Sequence, residues 1–156
     1  MEKVLTYALD KMGTHSDSPW YRSTCLFVME FQGVPDSGTA NSAAVWSMIT
    51  DRLQRQLSPR SWLHYDGNAR LYCVTLGMAI EAAADYGEFL STVLDEPLQL
   101  VDGSELSVDL RVGGAIARQT APVTSQQLMT QAEKMLEKSS LWGRSRFRMI
   151  DASASS

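Results

Sequence analysis

A chain of 156 residues fits one ordinary domain and leaves little room for a second. Its 44% hydrophobic, 8% aromatic and 21% charged residues lie near the globular average, which excludes a disordered, collagen-like or coiled-coil chain. The formal net charge of -4, from 14 Lys and Arg against 18 Asp and Glu, has the wrong sign for gripping a phosphate backbone, so nucleic acid is not an expected partner.

Residues 2–12 place Val4, Leu5, Ala8, Leu9 and Met12 at helical spacing, predicting a short amphipathic helix that stops at Gly13. It has the character of a connector, and Leu5, Leu9 and Met12 are candidate interface residues for a second copy or for the domain's own sheet. The polar stretch THSDSP follows as a solvated linker. Residues 24–31 (TCLFVMEF) are almost wholly apolar and rich in β-formers, which predicts a central strand covered on both faces, with Glu30 as the exception. A Gly, Pro, Ser and Asp loop then leads to a helix with Val45, Ile49, Leu53 and Leu57 at four-residue steps, ended by Ser58-Pro59.

Residues 61–65 and 71–76 (LYCVTL) flank the turn formers Asp66-Gly67-Asn68 and predict a β-hairpin. A second long helix is expected over 78–95, with Ala82, Tyr86, Phe89, Leu90, Val93 and Leu94 as its buried stripe. Two strands follow, 98–101 and 106–112, joined by Asp102-Gly103, with Gly113-Gly114 ending the second at a close strand-helix approach. Thr124 and Gln127 have capping-box spacing for a third helix through Lys138, and residues 146–150 form a last strand. The order is a lead-in helix followed by β-α-β-β-α-β with an added helix and strands, an α/β (α+β) sandwich of ferredoxin-like type.

Cys25 and Cys73 each sit inside a strand-like apolar run, with no CxxC and no Cys/His cluster, so they read as reduced core thiols of a cytoplasmic domain and not as a zinc site. No apolar run approaches the roughly 20 residues of a membrane helix, so this domain is not expected to insert in a bilayer, although a longer protein carrying it leaves an anchor elsewhere open. His15 and His64 lie in no nucleophile motif. Arg144, Arg146 and Arg148 alternate along the last strand, an arrangement that suits a solvated edge face or an anion or partner-docking site.

The order of elements and the run AEKMLEKSSLWGRSR at 132–146 resemble the GGDEF domain family, whose active members condense two GTP molecules into cyclic di-GMP. Ala132, Leu136, Gly143, Arg144 and Arg146 match the family signature A-D-x-A-L-Y-x-A-K-x-x-G-R-N-R in register, and Gly113 falls where the family's S-I-G-I-A strand has its glycine. The resemblance implies the palm-type sheet of nucleotidyl cyclases over residues 22–151, with 1–21 as connector and 152–156 as tail.

The departures fall where the family does its chemistry. Family members hold Mg²⁺ with an acid at the end of the first strand and another in the hairpin; Glu30 takes the first place, and the second acid of that strand is Gln32. The hairpin aligns as Gly67-Asn68-Ala69-Arg70-Leu71 against G-G-D-E-F, so both acids are missing and Arg70 brings a positive charge to a carboxylate position. Asn41 and Asp36 are the candidates for guanine recognition, their commoner roles being helix N-cap and turn residue. The phosphate-neutralising lysine aligns with Ser140, and the inhibitory R-x-x-D with Ser58 to Ser61.

No catalytic residue, metal site or cofactor is therefore expected, with Glu30 the residual metal candidate and Glu30, Asn41, Gly67 and Asn68 the residual nucleotide candidates. The resemblance implies a noncatalytic regulatory or oligomerisation domain in cyclic di-GMP signalling, partnered by self-association or by an attached EAL-type domain. The alternative is a receptor that binds GTP or cyclic di-GMP without turnover.

Overall fold

The computed structural model describes residues 2–14, 23–35, 40–65, 70–118, 123–139 and 146–153. Its elements are α1 (Glu2–Thr14), β1 (Ser23–Gln32), α2 (Ala40–Gln54), β2 (Ser61–Tyr65), β3 (Arg70–Leu76), α3 (Ile80–Ser91), β4 (Leu98–Gln99), β5 (Glu105–Leu106), β6 (Asp109–Arg118), α4 (Ser125–Lys138) and β7 (Phe147–Asp151). A five-stranded sheet has the order β2-β3-β1-β6-β7, in which β1 is antiparallel to β3 and β6, and β7 is parallel to β6. The unit β1-α2-β2-β3-α3-β6 is the expected ferredoxin-like core, with α1, α4, β7 and the small β4-β5 pair added.

The apolar run of β1 has a direct structural cause. Side chains alternate along a strand, so Cys25, Phe27, Met29 and Phe31 enter one core with Val45, Ile49 and Leu53 of α2 and Ala83 and Leu90 of α3. Leu26 and Val28 enter a second core with Leu5 and Ala8 of α1 and Leu128, Ala132 and Leu136 of α4. A strand covered by helices on both faces has no solvent side to make polar, and each fully buried Leu, Phe or Met contributes about 1.5–3 kcal/mol.

The α1 stripe is used internally. Leu5 is fully buried and Ala8 nearly so, with Leu9 partly buried beside them, whereas the Met12 side chain lies outside the described residues. Leu5 is thus spent in the domain's own core and is not a surface for a second copy. The chain is also integrated beyond the expected tail boundary: Ala152 N–H donates to the Ile116 carbonyl (2.8 Å), and the Ser153 hydroxyl accepts from Arg118 N–H (2.7 Å).

Two expectations are corrected. Of the stripe expected over 78–95, Leu90 and Leu94 are buried and Tyr86 and Val93 pack partly buried on the core, but Ala82 and Phe89 face solvent, while Ala83, Gly87 and Ser91 of α3 are buried. Small residues turn inward because a Cβ at Gly87 would overlap the Phe147 ring, so the helix sits hard against β7. The strand expected over 106–112 is two elements: β5 pairs with β4, and β6 begins at Asp109 and continues through Gly113 and Gly114 to Arg118. Those glycines lie mid-strand, opposite Val28 and Phe27. Gly113 does serve a close strand-helix approach, since a Cβ there would overlap the backbone of Ala132 and Leu136 in α4. The α4 capping box is present as expected, Thr124 Oγ1 accepting from Gln127 N–H and the Gln127 side chain accepting from Thr124 N–H.

Gly113→Ala is expected to cost about 3 kcal/mol in urea unfolding, because backbone cannot yield as a side chain can. Gly103→Ala, in open space at φ 87°, is expected to cost about 1 kcal/mol from backbone strain alone. Equal losses at the two positions would contradict the account of α4 packing.

Candidate functional site

Glu30 is the single charged residue of β1 (STCLFVMEFQ), and the sheet register sets it opposite Arg70 of β3 on one side and Arg111 of β6 on the other. Its even position puts it on the α1/α4 face, one pleat beyond Val28, where apolar cover gives out. Both guanidiniums close on its carboxylate. Arg70 donates from Nε and Nη2 to Oε2, each at 3.2 Å, and Arg111 donates from Nε and Nη2 to Oε1 at 3.0 and 2.6 Å. Arg111 also donates from Nη1 to the carbonyl of Ser139, the C-cap of α4, at 3.3 Å, which complements the partial negative charge of that helix end. One carboxylate thereby ties three strands and a helix together.

The electrostatics follow from this geometry. Burial opposes ionisation of Glu30, but the hydrogen bonds and charge of Arg111, and then of Arg70, outweigh it and hold the carboxyl below its ordinary range. The three side chains are only 23–30% exposed, so the pairs are screened less than surface ion pairs.

This arrangement does not fit a divalent cation. Each oxygen of Glu30 already accepts from a guanidinium, so a metal there would face two positive charges across one carboxylate. Among the described residues no group of three or more His, Cys, Asp or Glu side chains is placed to hold a metal.

The other sequence candidates are not brought to this cluster. Asn41 falls in the first turn of α2, inside the helix and not at its N-cap, and its side chain lies outside the described residues. Gly67, Asn68 and Ala69 lie outside them too, as do His15, Asp36, Ser140, Gly143 and Arg144. Arg146 pairs with Asp95 at 2.6 Å. Sequence reasoning missed Arg111: its partner is 81 positions away, and the one signal for it is strand register, which periodicity does not reveal.

The positions aligned with the inhibitory R-x-x-D motif form an uncharged network. Ser58 and Ser61 hydroxyls lie 2.9 Å apart, Ser61 meets the Thr75 hydroxyl at 2.8 Å, and Tyr86 OH accepts from Ser58 N–H at 3.2 Å. Thr75 in turn lies 3.5 Å from Cys73 Sγ. Burial raises the Tyr86 phenol and takes the Cys73 thiol to about 11, so the network is neutral near pH 7 and staples the start of β2 to β3 and α3. Cys25 and Cys73 are buried free thiols, as expected. Among the described residues, a cavity of about 400 Å³ lies beside Arg52 and Phe89, and another of about 320 Å³ lies between Pro35, Met48 and Leu106.

No protein-family model and no curated protein matches this sequence. Solved structures do match in shape. The isolated GGDEF domain of YfiN (TpbB) from Pseudomonas aeruginosa has a TM-score of 0.80 at 19% identity, over 97% of this chain and 87% of that one. The GGDEF domain of DgcB from Caulobacter crescentus, solved in complex with cyclic di-GMP, gives 0.77 at 17% identity, over 94% and 86%. The active GGEEF domain of a diguanylate cyclase from Vibrio cholerae gives 0.74 at 12% identity, over 95% and 92%. The chain has the fold of a GGDEF domain.

Glu30→Gln is expected to destabilise the domain by about 1–3 kcal/mol near neutral pH, because two partly buried guanidiniums lose their charged acceptor. The folded-state carboxyl is depressed below the ordinary 4.5, so the wild-type advantage is complete above that value and disappears as pH falls through the depressed one. Urea unfolding of both proteins from neutral pH down to acid checks this; a difference that grows on acidification would contradict it.

Proposed function

We propose that this domain is a noncatalytic regulatory module of cyclic di-GMP signalling that acts through an attached domain or through self-association. The observation that carries the reading is the engagement of both Glu30 oxygens by Arg70 and Arg111. Condensing two GTP molecules requires an in-line attack on a phosphoryl group while carboxylate-held Mg²⁺ neutralises the developing charge. Here the carboxylate at the end of β1 is committed to two cations of the protein itself, and Arg70 stands at the place of a second acid. Each lost group of this kind removes on the order of 10²-fold of rate, and groups that act as a unit leave no partial enzyme behind.

The signalling context rests on the fold likeness to a domain solved with cyclic di-GMP and to an active diguanylate cyclase domain. An attached phosphodiesterase-type domain is in keeping with the likeness to an EAL/GGDEF protein from M. capsulatus, which reaches a TM-score of 0.69 at 11% identity. None of the described helices is long and apolar enough to cross a membrane, in keeping with a cytoplasmic location for this part.

Incubation with GTP and Mg²⁺ or Mn²⁺ is expected to yield no cyclic di-GMP by mass spectrometry. Product that vanishes in Glu30→Ala would overturn the reading. Calorimetry with GTP and cyclic di-GMP separates the receptor alternative, which requires saturable heat without turnover.

A further inference from the structure

We propose that the outer edge of β2 is a dimerisation surface, on which β2 of a second copy pairs antiparallel about Leu63 and joins the two sheets into one. The inference concerns assembly and holds whether or not the domain turns over GTP.

The backbone shows which groups are available. Leu76 N–H donates to the Arg60 carbonyl at 3.1 Å, so residue 60 is hydrogen-bonded to β3, and alternation along an antiparallel ladder extends that pattern to Trp62 and His64. The N–H and C=O of Leu63 and Tyr65 therefore point away from β3, as does the Ser61 carbonyl, the Ser61 N–H being used by the Ser58 carbonyl at 3.1 Å. β2 ends the sheet order, and no described strand pairs with its outer side.

Exposed edges are normally blunted by charge, proline or a bulge. The sequence of β2, SWLHY, has no Asp, Glu, Lys, Arg or Pro and keeps an unbroken register with β3. The opposite edge differs: β7 (FRMID) carries an exposed Arg148 and the acid Asp151. Among the described residues, one edge of the sheet is guarded and the other is open.

A second copy is the occupant that suits this edge, because the strand is complementary to itself. Antiparallel pairing centred on Leu63 lets that residue exchange both backbone bonds with its copy, and it sets each Tyr65 N–H against the Ser61 carbonyl of the other chain. The same register brings Trp62, 45% exposed, opposite the exposed His64 of the second copy on one face of the joined sheet. An aromatic pair of this kind is a favourable cross-strand contact. The resulting interface is isologous, so the two edges close on each other and leave neither free for runaway addition.

The test uses the whole chain in sedimentation velocity across a concentration series, combined with hydrogen exchange. A dimer is expected in which the Leu63 and Tyr65 amides exchange at least about tenfold more slowly than in the dilute monomer, while Trp62 and His64 amides are protected in both. Trp62→Glu with His64→Glu sets like charges opposite each other and is expected to give a monomer with an unchanged circular dichroism spectrum. Trp62→Lys with His64→Glu sets opposite charges together and is expected to restore the dimer. A wild-type chain that stays monomeric, a dimer whose Leu63 and Tyr65 amides exchange freely, or one that survives the double Glu change would overturn the proposal.

Discussion

The structure depends on the burial of β1 from both sides. An apolar strand with no solvent face demands a helical layer above and below, and α2 with α3 and α1 with α4 supply them. It also demands close contact, which is why β6 carries glycine where the α4 backbone passes and α3 turns Ala83 and Gly87 toward the sheet. The same strand then creates its own electrostatic problem, because its one charge, Glu30, stands where the apolar cover ends. An ionised group that is two-thirds removed from water is costly unless paired, and the strands on either side each contribute an arginine at the matching register position.

That pairing links architecture to function. At the end of β1 the Glu30 carboxylate is held between two guanidiniums of the neighbouring strands. The charge that balances it comes from the protein itself, which makes the carboxylate a cross-link between β3, β1, β6 and, through Arg111, the end of α4. The hydroxyls of Ser58, Ser61, Thr75 and Tyr86 are likewise satisfied within the protein, by each other. The fold alone does not name the domain's task.

What was legible in the sequence was local. The β1 run, the hairpin strands and the α4 capping box each announce themselves within a few residues, and each forms as expected. What was not legible depends on neighbours far along the chain. On α3, Tyr86 and Leu90 face the core as the pattern predicts, but the Phe147 ring leaves room only for glycine at position 87, and Phe89 faces solvent. The split between β5 and β6 escapes notice because two-residue strands carry no periodicity. At the site, Glu30 and Arg70 were visible through the family resemblance, but their contact, and the part played by Arg111, required the register of three strands. The docking of Leu5 is a tertiary fact of the same kind: an amphipathic stripe shows that a helix is covered and not by what.

The central claim is that Glu30 is held by arginines in place of a metal. Nitrogen-edited NMR of the arginine Nε–H groups tests it directly, with Mn²⁺ added as a paramagnetic probe and Mg²⁺ as its competitor. The account predicts Arg70 and Arg111 signals shielded from exchange by their bonds to Glu30 and no broader with Mn²⁺ than those of distant arginines. Selective broadening of those two signals, reversed by Mg²⁺ and abolished in Glu30→Gln, would place a metal on the carboxylate and contradict it.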